Sequence, residues 1–188
     1  PHPNLFCTNE DLFTQTIVVP YLIPMLQNAG AIVFTPRERD WQQQEIIVDN
    51  NDRKSISYIE VDNSKKWKDC DSLGFANAKT LYSDGENPFT MGTVRQAKAT
   101  KKKKKYSLVS YQPKFKEAGK YAVYVSYQTL PKSVPDAKYI VYHKGQATEF
   151  TVNQRMGGGT WVYLGTFDFD KGCNEFNRVV CTNQASKR

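Results

Sequence analysis

The chain has 188 residues, of which 39% are hydrophobic and 13% aromatic, and it carries a formal net charge of +7. That length holds one full domain and part of another, and the apolar content excludes a disordered chain. No stretch approaches the roughly 20 consecutive apolar residues of a membrane-spanning helix.

In chain order, residues 8–28 read as helical. Thr8 or Asn9 can cap the first turn, and Glu10 and Asp11 follow where the helix dipole favours carboxylates. Leu12, Val19, Leu22 and Leu26 form an apolar stripe, widened by Ile23 and Met25. Pro20 and Pro24 each remove an amide donor and crowd the carbonyl four residues back. The pattern therefore predicts a kink or two shorter helices, with a stop at Asn28-Ala29-Gly30. Ala31 to Thr35 reads as a short buried strand, so residues 1–40 suit a small α/β segment. A turn-like Thr35-Pro36-Arg37-Glu38-Arg39-Asp40 comes next. Strands are expected at Glu45–Val48 and Ser57–Val61, and residues 62–95 read as loop-rich, with Asp84-Gly85 and Asn87-Pro88 as turn signals.

Six lysines, Lys98 and Lys101 to Lys105, account for most of the basic character; removing six positive charges from +7 leaves +1. A lysine run can meet an anionic polymer, but no aromatic residue within it could stack on bases. It reads as a solvated loop between strands, and no nucleic-acid partner is expected. From there strands dominate, at about 106–112, 121–128, 138–143, 147–153, 160–169 and 176–182. Eleven Tyr, ten Phe and three Trp suit such a β-rich chain. The run Glu149–Asp170 is the clearest, and it reads as two β-strands joined by a tight three-glycine turn, as in a hairpin. Phe150 and Val152 alternate with polar neighbours. After Gly157, Gly158 and Gly159, the residues Trp161, Tyr163, Gly165, Phe167 and Phe169 alternate with Val162, Leu164, Thr166 and Asp168. Many short strands with regular turns favour a β-sandwich, jelly-roll-like, over residues 41–188.

Few residues carry an obvious chemistry. Cys7, Cys70, Cys173 and Cys181 match no zinc spacing, and only Cys173 and Cys181 fall where they could face each other near a turn. Asp168, Asp170, Asn174 and Glu175 gather hard oxygen ligands that could hold calcium, though acidic turn residues are commonly just solvated. The two histidines, His2 and His143, support no Ser-His-Asp or Cys-His arrangement. His143 shares the Val141 face and reads as a packed histidine, and Trp161 reads as core. In Tyr121–Tyr127 the Val123 and Val125 face should be core, which puts Tyr124 on the opposite face; Tyr142 likewise lies opposite Val141. Tyr124 and Tyr142 are the candidates for an exposed sugar-stacking platform.

The segment VNQ, a glycine linker, then GTWVYLGTFDF resembles the golvesin C-terminal domain, also called the xanthan-lyase-associated carbohydrate-binding-like domain. The resemblance extends back through Tyr121–Tyr127 and Tyr139–His143, over roughly residues 45–188. It implies a β-sandwich appended to or inserted in secreted and surface enzymes. Residues 9–40 are similar to part of the zinc-dependent N-acetylmuramoyl-L-alanine amidases: a Glu, a helix ending in Gly, a short strand and a Thr-Arg-x-x-Asp-like segment. That resemblance implies Glu10 as a zinc ligand, Gly30 as the helix-ending glycine and Thr35–Asp40 as the segment after the strand, with Pro36 inserted. A catalytic zinc needs three protein ligands and an open position, and two histidines so placed leave the site incomplete in this chain.

Together these observations imply a non-catalytic carbohydrate- or cell-wall-binding accessory of a secreted, periplasmic or cell-surface hydrolase, with polysaccharide or peptidoglycan as its partner. The alternatives are part of a zinc amidase acting on peptidoglycan, and a structural or protein-interaction spacer. A first residue other than Met, and an end at Arg188 short of the last strand the family would supply, lead to the expectation of an excised or processed segment.

Overall fold

The computed structural model describes residues 22–29, 45–52, 55–63, 65–76, 87–102 and 106–186. The chain divides into two compact units, Pro1–Glu45 and Ile46–Arg188. In the first, the described residues form one short helix, α1 (Ile23–Asn28), closed by the Ala29 amide donating to the Met25 carbonyl at 3.1 Å. Pro24 is the second residue of this helix, in the first turn, where proline's missing amide is tolerated. The expected helix upstream of residue 22 and the strand at Ala31–Thr35 lie outside the described residues.

The described residues of the second unit are mainly β, with short 3-10 turns at Asn50–Asp52 and Pro88–Thr90. Its strands are β1 (Tyr58–Val61), β2 (Lys68–Gly74), β3 (Gly92–Gln96), β4 (Leu108–Tyr111), β5 (Gly119–Ser126), β6 (Ala137–His143), β7 (Gln146–Val152), β8 (Trp161–Phe169) and β9 (Arg178–Thr182). Five make one antiparallel sheet in the order β1-β4-β9-β6-β7, and two further ribbons pair β2 with β3 and β5 with β8. The β6–β7 hairpin turns through Lys144 and Gly145, both at positive φ.

The sandwich follows from alternation. One face of the five-stranded sheet presents Tyr58, Val109, Tyr139, Val141 and Cys181, and the facing side of the β5–β8 ribbon presents Val125, Val162, Leu164, Phe167 and Phe169. Phe169 is 1% exposed and stacks on Phe115 at 4.6 Å. Phe115 is held there because its amide and carbonyl exchange hydrogen bonds with Gly172. The hydroxyl of buried Tyr139 accepts from Gln154 Nε2 at 2.8 Å. Burial raises the pKa of Tyr139 well above the usual tyrosine value and pushes the Cys181 thiol up to about 12, against a small opposing effect of its contact with Tyr139.

Three expectations are corrected. Residues 45–49 form no strand; Val48 instead reaches the core from an irregular segment, which a three-residue apolar run allows. Residues 62–95, expected as loop, contain β2 and begin β3. Their sequence KDCDSLG lacks an apolar face because the ribbon is held by polar contacts: Arg95 donates to Glu60 through Nε at 2.6 Å and through a terminal nitrogen at 2.7 Å, and meets Asp69 at 3.0 Å. Finally, β7 and β8 are not hairpin partners. β7 pairs with β6 and β8 with β5, so the three glycines carry the chain from one layer to the other. Gly157 and Gly159 take positive φ, and a Cβ at Gly158 would lie 2.3 Å from the Thr129 amide nitrogen.

Candidate functional site: an aromatic pair on the outer face of the β5–β8 ribbon

With Val123 and Val125 turned inward, Tyr124 must point out of the sandwich. Its register partner across the ribbon is Tyr163. The two rings lie 5.2 Å apart, tilted by 48°, and are 50% and 54% exposed. The Tyr163 hydroxyl is fixed by a 2.8 Å hydrogen bond with Thr166 Oγ1. Tyr163 faces outward because the ribbon contains a β-bulge. Val123 pairs with Gly165 and Tyr124 with Tyr163, so Leu164 is an extra residue. The bulge moves every side chain beyond it to the other face. Val162 and Leu164 therefore point into the core on one side of the irregularity, and Phe167 and Phe169 on the other.

Read along the ribbon, the outer face presents Ser126 with Trp161, then Tyr124 with Tyr163, then Ala122 with Thr166, then Lys120 with Asp168. Trp161 is half-buried, packed against Phe75 at 4.8 Å and Phe89 at 5.9 Å. It is a packing residue, as expected, but in a satellite cluster outside the central core. Ser126 is half-buried, and the rest of the row, from Tyr124 and Tyr163 to Lys120 and Asp168, is exposed. Ring faces beside hydroxyl, carboxylate and ammonium groups form a surface that can stack an apolar ligand face and hydrogen-bond its polar rim.

Tyr142 lies on the outward face of the five-stranded sheet, so the structure does not bring it together with Tyr124; the two point away from the sandwich on opposite sides. The Arg178 guanidinium sits over the Tyr142 ring at 4.8 Å, which occupies one of its faces. His143 packs on Phe167 at 4.7 Å and its Nε2 makes a 3.0 Å hydrogen bond with Thr148 Oγ1, the packed role that the sequence implied. Around the β8–β9 turn, Asn174 Oδ1 accepts from the Phe176 amide and Asn177 Nδ2 donates to the Asp170 carbonyl. Among the described residues no three His, Cys, Asp or Glu side chains converge as a metal-binding group. Cys173 and Cys181 are both free thiols, Cys173 reaching the Gln112 carbonyl at 3.5 Å. Lys98, Lys101 and Lys102 lie between β3 and β4, as a loop should. Glu10, Gly30 and Thr35–Asp40 lie outside the described residues. No described helix is long and apolar enough to cross a membrane.

Sequence reasoning missed Tyr163, because strict alternation from Trp161 to Phe169 places it with the core phenylalanines. The available signal was Gly165, since an isolated glycine inside a strand pattern marks a bulge. A Cβ there would stand 2.8 Å from the Phe167 ring.

The comparisons with known proteins agree with this architecture. The model of the Golvesin C-terminal domain family matches residues 90–188. No curated protein matches the chain. Among solved structures, the chain is similar to a Paenibacillus xanthan lyase, with 20% sequence identity and a TM-score of 0.54 over 76% of this chain. The match spans 12% of that enzyme's chain, and at this identity the likeness is one of fold.

Proposed function

Because the chain belongs to the Golvesin C-terminal domain family, we propose that it serves as a non-catalytic carbohydrate- or cell-wall-binding accessory of a secreted or surface hydrolase, with polysaccharide or peptidoglycan as its partner. The observation that carries this reading is the exposed Tyr124–Tyr163 pair, two ring faces on a rigid ribbon with a polar rim beside them. Aromatic side chains held by strand pairing lose little freedom on contact with a sugar face. The structural neighbour is a xanthan lyase, and its association with a carbohydrate polymer comes to this chain only as part of the proposal. Tyr142, covered on one face by Arg178, contributes less than Tyr163.

A glycan array and a pull-down on insoluble peptidoglycan test the reading. The folded protein should be retained, and the Tyr124→Ala, Tyr163→Ala double variant should bind at least about tenfold more weakly, the factor that accompanies loss of roughly 1.4 kcal/mol. Folded protein that is retained by no glycan and no cell-wall preparation would return the domain to a spacer role.

A further inference from the structure

The outer face of the β5–β8 ribbon has a direction. At one end Trp161 is covered by Phe75 and Phe89. From the tyrosine pair toward the other end the face stays open: first a low step made by the small side chains of Ala122 and Thr166, then the opposed charges of Lys120 and Asp168. Lys120 is four residues from Tyr124 along a regular stretch of β5, a run of about 13 Å at ~3.3 Å per strand residue. A single sugar covers only part of that length. A bulky residue at position 122 would interrupt the row; alanine leaves it continuous with the ring platform.

Resting on the carbohydrate-binding reading, we propose that this face binds a linear glycan lengthwise over at least two consecutive sugar units. One unit stacks on Tyr124 and Tyr163. The next passes over the Ala122–Thr166 step toward Lys120 and Asp168, where the ammonium and carboxylate hydrogen-bond its polar substituents. The chain extends away from Trp161, because Phe75 and Phe89 occupy that end. The ligand class is therefore an extended polysaccharide read along its length.

The test is a titration of the intact chain with cello-oligosaccharides and chito-oligosaccharides of one to six units, followed by heteronuclear NMR or calorimetry. Affinity should rise at least about tenfold from the single sugar to the longest oligomer. Ala122→Leu, which adds bulk at an exposed position of β5, should remove most of that gain. Ala122→Ser, which keeps the step low, should retain it. Equal affinity for one unit and six, or an Ala122→Leu variant with undiminished length dependence, overturns the lengthwise mode while leaving carbohydrate binding intact. Binding to none of these oligosaccharides also overturns it, and the wider reading then stands only if the glycan array retains another polymer.

Discussion

The inner face of the five-stranded sheet and the outer face of the β5–β8 ribbon use the same residue type in opposite ways. In the five-stranded sheet, Tyr58, Tyr111 and Tyr139 face inward and are buried or half-buried, with Tyr58 donating to Glu60 at 2.6 Å and Tyr139 accepting from Gln154. In the ribbon, Tyr124 and Tyr163 face solvent and touch mainly each other. Tyr142, on the sheet's outward face, falls between these cases, with Arg178 over its ring. The difference lies in the geometry that receives each ring. On the inner face the rings of Tyr58, Tyr111 and Tyr139 are enclosed by the core, whereas the register pair on the open ribbon face, with the Tyr163 hydroxyl bonded to Thr166, keeps both rings accessible. This contrast predicts a core layer sensitive to truncation and an outer face that is silent until a ligand is present.

The contrast is broken or kept most decisively by paired truncations. Phe169→Ala removes a 1% exposed ring stacked on Phe115, and should cost about 3–5 kcal/mol of unfolding free energy. Tyr163→Ala removes a cross-strand partner from an exposed site and should cost about 1 kcal/mol or less. Urea denaturation of both variants measures the difference, and comparable losses would mean that the outer pair belongs to the core.

Alkaline pH sharpens the same comparison from the core side. Burial raises the Cys181 thiol from its ordinary value of 9.0 to about 12, and raises Tyr58, Tyr111 and Tyr139 above the normal tyrosine value, burial being the largest cause in each case. Between about pH 9 and pH 12 the native state keeps the Cys181 proton that the unfolded chain has lost. The stabilisation is therefore complete below pH 9 and is lost as pH rises toward 12, by at most about 4 kcal/mol for this thiol. Denaturant midpoints should be flat from neutral pH to about 9 and fall above it. In Cys181→Val the fall should be shallower; an unchanged profile would exclude the thiol as its source.

Much of this was legible in the sequence. The strands from Leu108 onward, the inward Val123–Val125 face and the outward Tyr124 follow from period-two alternation, which burial on one side enforces. The golvesin-like wording reached the family. What alternation could not show was pairing between distant strands. The polar β2–β3 ribbon has no apolar face to announce it, because Arg95, Glu60 and Asp69 hold it in place. The β7–β8 run looked like a hairpin because a glycine linker joins its strands, yet linkers also carry chains between layers. Tyr163 was assigned to the wrong face by one residue, the smallest register error a strand permits.

That error points to the subtlest way to perturb the comparison. Gly165 lies beside the bulge and against the core, and an added methyl would lie 2.8 Å from Phe167 Cζ and 3.0 Å from Phe167 Cε2. Gly165→Ala should therefore displace the Phe167 ring and cost about 1–2 kcal/mol by overpacking. Phe167 packs on His143 and contributes to the cluster around Phe169, so the shift is felt in the core. The bulge also sets which way Tyr163 points, so the strain reaches the outer pair through two residues of backbone. Near-ultraviolet circular dichroism and the Tyr124–Tyr163 ring contacts in NMR should change along with the denaturation midpoint. A variant that loses stability while keeping the ring pair intact would show that the bulge is fixed by Leu164 entering the core, with Gly165 only making room for Phe167.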